Sequence, residues 1–151
     1  MHMLAFLLAG ISAVAANLPD PALLQLGSLF IEDSVEVQSS TCSARFPDSR
    51  SQWVVAVRDW KNSNVAELEE LRGLSQQVEA SAKQRATEGQ LVAFRAQAAM
   101  LPLLALGSTR DSQAEQLCSK YRSGLADSKA SAQIFQQART AATAALASPV
   151  K

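Results

Sequence analysis

The sequence predicts an all-α fold: an antiparallel bundle of about five helices stapled by one disulfide. Three observations lead there. Apolar residues recur at helical spacing along most of the chain, no segment alternates strictly enough for a strand, and capping signals separate the periodic stretches. Alanine is abundant while aromatic residues make up only 5% of the chain, which suits close packing of helices.

Residues 1–16 read as a secretory signal peptide. Leu4, Phe6, Leu7, Leu8, Ile11 and Val14 form a short apolar run, and Ala13-Val14-Ala15 supplies small residues beside a cleavage site. The run is too short for a comfortable permanent span, and its leading end holds only His2 besides the α-amino group. Residues 17–151 then form one helical domain of about 135 residues, enough to bury a core without metals. Pro19 and Pro21 stiffen the lead-in.

Helical spacing of Leu23, Leu26, Phe30, Ser34 and Val37 predicts a first helix from Leu23 to about Arg45, stopped by Pro47. Gly27 and the β-branched Ile31, Val35 and Val37 weaken that pattern. Trp53, Val57 and Trp60, with Val54 beside them, mark one face of a second helix from about Ser49 to Lys61. Asn62-Ser63-Asn64 breaks it. Asn64 to Glu67 has the form of a capping box opening a third helix, whose stripe of Val65, Leu68, Leu71, Ser75, Val78 and Ala82 runs to about Ala86. Gly73 within it marks a bend or a close helix contact. Thr87 to Gln90 caps a fourth helix lined by Leu91, Phe94, Ala98 and Leu101, ended by Pro102 and Gly107. Ser112 to Glu115 is the cleanest capping box. It opens a long fifth span carrying Leu117, Cys118, Tyr121 and Leu125, then Ile134, Phe135, Ala138, Ala142 and Ala145, closed by Pro149.

Charge and composition remove several functions. Fourteen basic residues balance fourteen acidic ones, so the chain lacks the electrostatic footprint of a nucleic-acid binder or of a polybasic membrane anchor. The single histidine, His2, leaves with the signal, and Ser-His-Asp or Cys-His catalysis leaves with it. Phosphate-binding loops, EF-hand loops and H-E-x-x-H are absent from the sequence, and no cofactor or metal is expected.

Cys42 and Cys118 are the only cysteines. An isolated pair in an oxidising compartment is most simply a disulfide, and a redox pair would sit closer in sequence, as in C-x-x-C. Trp53 and Trp60 share a helical face that packs inward as core, or grips a sugar, a lipid chain or a peptide. Arg45, Arg50 and Arg58 flank Pro47 as a candidate anion site, diluted by Asp48 and Asp59. Glu67, Glu69 and Glu70 suit the first turn of a helix, and Glu69–Arg72 and Glu79–Lys83 read as surface pairs. Carboxylates such as Asp111 with Glu115, or Glu88 with a partner across the bundle, are the remaining route to hydrolysis of envelope polymers, but no motif singles them out.

Cys42-x-x-x-Phe46-Pro47, followed by Trp53 and Trp60-Lys61-Asn62, resembles small exported helical proteins of Gram-negative bacteria that carry a cysteine pair. The resemblance covers residues 42–62. It implies export, helices and a disulfide, and transfers no catalytic residue. The expected role is protein–protein interaction in the periplasm or outside the cell: an envelope accessory, adaptor or immunity-type inhibitor with another envelope or secreted protein as partner. A bundle binding a small molecule or lipid is the alternative. No stable membrane insertion is expected after cleavage, and the oligomeric state is left open.

Overall fold

A computed structural model describes residues 29–82, Leu106 and residues 110–147. Among these the chain forms five α-helices and no strand: α1 (Ile31–Arg45), α2 (Arg50–Ser63), α3 (Val65–Ala82), α4 (Asp111–Gly124) and α5 (Ser128–Ala147). The all-α prediction and the Cys42–Cys118 disulfide both hold. The signal segment 1–16, the start of the predicted first helix, the Thr87–Gln90 box and the Leu91–Leu101 stripe lie outside the described residues.

Pro47 acts where the sequence places it. Helix α1 stops at Arg45, Phe46 leaves the helical region at φ −127° and ψ 77°, and Pro47–Ser49 makes one 3₁₀ turn before α2. The Phe46 N–H donates to the Cys42 carbonyl at 2.8 Å, and the Ser49 hydroxyl donates to the Phe46 carbonyl at 2.8 Å. These bonds satisfy the Phe46 N–H and the Cys42 and Phe46 carbonyls at the corner. On α2, Trp53, Val57 and Trp60 all face inward, and Trp53 is fully buried. Val54, expected beside them, instead stands 61% exposed, because residues adjacent in a helix point about 100° apart.

The Asn62–Asn64 break is a single residue wide. Asn64 does not open α3 through a capping box. Its amide Nδ2 donates to the Trp60 carbonyl at 2.7 Å, so the side chain closes the end of α2 instead. Leu68, Leu71 and Val78 form the buried face of α3, whereas Val65 is exposed. Gly73 serves no close contact: a Cβ built there meets nothing within 4 Å.

Two corrections concern the C-terminal half. Ser112 is not an N-cap, since α4 begins one residue earlier with Arg110 at the cap and no side-chain capping bond. The predicted long fifth span is two helices, broken at 125–127. Asp127 accepts from the N–H groups of Lys129 at 2.9 Å and Ala130 at 3.1 Å, a carboxylate N-cap at the positive end of α5. Asp127→Ala is expected to lower stability by about 1 kcal/mol, measured by urea unfolding. Asp127→Asn should retain most of it.

Among the described residues the largest helix contact joins α3 to α5, and Ala138, Ala141, Ala142 and Ala145 of α5 are buried. Short side chains there let the two backbones approach closely. The disulfide bridges a different pair, the end of α1 and the middle of α4. Cys118 lies mid-helix rather than near the start of a long span because the chain breaks again after Gly124.

Ion pairs also link the helices. Arg72 on α3 grips Glu32 on α1 through two 3.0 Å bonds, Lys61 reaches Glu32 and Glu36, and Arg139 on α5 forks onto Glu70 on α3 at 2.7–3.0 Å. Hydrogen bonding from Arg72 lowers the Glu32 pKa against the opposing effect of burial, and hydrogen bonding from Arg139 lowers that of Glu70. A carboxylate whose folded pKa is depressed supplies stability above its unfolded pKa and loses it as pH falls through the folded one. The unfolding midpoint should therefore fall with acidification below the ordinary glutamate range. Glu32→Gln with Glu70→Gln should flatten that acid limb, and an unchanged limb would show that these pairs are too solvated to matter.

Candidate functional site

A cleft of about 250 Å³ opens where α1, α2, α4 and α5 meet. Its floor follows from the inward faces of the helices: Val35 from α1, Trp60 from α2 and Phe135 from α5 are all buried. Ile31, Ile134, Tyr121 and Leu125 form the partly buried walls. The Trp60 and Phe135 rings lie 6.3 Å apart between centroids and 24° from parallel, within the range of favourable aromatic contact. The Trp60 Nε1–H donates to the buried Ser131 hydroxyl at 3.2 Å, so the indole's one polar atom is satisfied beneath the cleft.

Polar groups gather toward the mouth. Gln38 on α1 and Lys120 on α4 border the cleft, with Gly124 beside them. Lys120 and Gly124 are exposed. Tyr121 is half buried, and that burial pushes its phenol pKa up, so the hydroxyl keeps its proton at neutral pH. The site is an apolar slot with a polar rim.

The residues singled out from sequence do not come together as one site. Trp60 floors the cleft, but Trp53 is buried elsewhere, so the two tryptophans form no exposed gripping face. Among the described residues the Trp53 Nε1–H has no acceptor. Arg45 turns to Asp111, at 2.8 Å, and to the Leu106 carbonyl, also at 2.8 Å, tying the end of α1 to the start of α4. Arg58 pairs with its neighbour Asp59 at 2.8 Å, and Arg50 is exposed. Two of the three arginines thus carry a carboxylate already, and their fields do not add.

The remaining carboxylates are similarly placed. Asp111 is engaged by Arg45, and Glu115 is exposed one turn along α4. Arg72 pairs with Glu32 across helices, where sequence spacing offered Glu69. Lys83 and Glu88 lie outside the described residues. Among the described residues no group of three His, Cys, Asp or Glu side chains is placed to hold a metal ion. No helix among them is long and apolar enough to cross a membrane.

Gln38, Lys120 and Ser131 carried no signal in the sequence. A polar residue on a mixed helix face looks like solvated surface until a neighbouring helix gives it a wall. Tyr121, Leu125, Ile134 and Phe135 were legible as an apolar stripe, but not as the sides of an unfilled space. With this geometry in hand, no protein-family model, curated protein or solved structure matches the chain.

Proposed function

We propose that this protein is an exported binding module that holds a small apolar molecule in the cleft floored by Trp60 and Phe135. The observation that carries the reading is the cleft itself: a slot of about 250 Å³ whose floor side chains are buried and whose indole N–H is already satisfied. A cleft between helices lined chiefly by apolar side chains, with a few polar groups at its rim, is the usual form of a small-molecule site. Binding rather than chemistry is the reading because the cleft is lined by no carboxylate, thiol or imidazole. The export half rests on the leader-like residues 1–16 and on the disulfide, which persists in oxidising compartments. Periplasm and extracellular space fit equally.

The test uses Trp60 as its reporter. In a Trp53→Phe background Trp60 is the sole tryptophan, and titration with n-octanol is expected to change its emission saturably. Ile134→Trp, which fills the wall, should abolish saturable binding in a calorimetric titration. Absence of saturation in the unfilled protein would remove the reading.

A second reading, a surface for another envelope or secreted protein, is favoured by one observation. Val54 and Val55 stand exposed on α2, outside its buried face. Val54→Glu with Val55→Lys should abolish capture of a partner from envelope extract while leaving octanol binding unchanged.

A further inference from the structure

We infer that the occupant of the cleft is a small amphiphile with an anionic head, of the class of medium-chain or aromatic carboxylates, seated with its apolar body on Trp60 and Phe135 and its head beside Lys120. This inference rests on the binding reading above and adds the chemistry of the head group.

The size of the body follows from volume. An apolar cavity of about 150 Å³ takes up a benzene ring, so a slot of about 250 Å³ accepts a body of about ten non-hydrogen atoms. A full-length lipid chain or a sterol is too large for it. The sign of the head follows from the rim. Lys120 is the one charged residue lining the cleft. Among the described residues its ammonium makes no ion pair, whereas Lys61, Arg72 and Arg139 are each committed to a glutamate. The backbone dipoles do not overrule this charge. Gly124 brings the negative end of α4 to the rim, and the positive end of α5 is answered by its own Asp127 cap, so neither terminus supplies the positive charge that Lys120 does. Gln38, on the facing helix, offers an amide that can donate to a carboxylate oxygen.

The depth gradient fixes the orientation. Buried residues make the floor, and the exposed Lys120 stands at the mouth. A head group left at the mouth keeps part of its hydration, so no charge is buried on binding. An exposed pairing of this kind is worth about fivefold in affinity, and reversing the sign of the head should cost a similar factor.

Three probes of one chain length separate the parts of the argument: octanoate, n-octanol and octylammonium, titrated calorimetrically into the oxidised protein at neutral pH. Octanoate is expected to bind more tightly than octylammonium by about tenfold or more at low salt. Lys120→Ala should reduce octanoate affinity about fivefold more than it reduces n-octanol affinity, and Lys120→Glu should invert the preference toward octylammonium. Lys120 is exposed, so neither change disturbs the core. If n-octanol binds while octanoate and octylammonium bind alike, or if Lys120→Ala leaves octanoate affinity intact, the anionic head is refuted and the apolar cleft stands. If none of the three binds, the cleft reading itself falls, and this inference with it.

Discussion

Replacing both cysteines, Cys42→Ala with Cys118→Ala, is expected to lower the stability of the oxidised protein by about 4 kcal/mol. The bridge joins residues 76 apart in sequence, and a closed loop of that length removes much of the unfolded chain's freedom. The loss is a large fraction of what a domain of this size possesses. Urea unfolding with matched slopes measures it. Cys42 is fully buried and Cys118 nearly so, which separates the native and unfolded reactions with a reductant. Dithiothreitol should act slowly under native conditions and quickly in denaturant, followed by intact mass after alkylation. A loss below about 1 kcal/mol would mean that the unfolded chain without the bridge is already confined by residual structure.

The second large effect sets the two tryptophans apart. Trp53→Ala should destabilise by about 3–5 kcal/mol, as for other large side chains removed from a core. Trp53→Phe should stay within about 1 kcal/mol of the native protein, since removing an N–H that lacks an acceptor offsets some of the lost packing. Trp60→Phe loses packing and also breaks the bond to the Ser131 hydroxyl, so it should cost about 1 kcal/mol more than Trp53→Phe. Equal costs for the two phenylalanine variants would show that the Trp53 indole is satisfied after all, for example by water. The comparison also serves the functional test, because Trp53→Phe is the background in which Trp60 reports on the cleft.

The helices that were legible in advance share one property: their boundaries and faces come from neighbours in sequence. Pro47 stops α1 by a local clash, and Trp53, Val57 and Trp60 define a face by spacing alone. The capping signals fared less well. Ser112 has the right residues three apart, yet α4 begins at Asp111; Asn64 turns its amide back to α2. A polar side chain near a helix end has several backbone groups in reach, and the competition among them is decided by how the neighbouring helices are set. Asp127, which caps α5, is hidden in the sequence because the apolar residues of α4 and α5 continue in phase across the break.

By itself, the sequence determined the helical class, the two corners at Pro47 and Asn64, the inward face of α2 and the pairing of the only two cysteines. Those follow from short-range sterics, from periodicity and from a count that leaves one option. Tertiary structure alone decided that α3 packs chiefly on α5, that Arg45 leaves its neighbouring arginines for Asp111, and that a slot opens over Trp60 and Phe135. Each depends on where two helices cross, and a crossing is set by the summed packing of many side chains far apart in the chain.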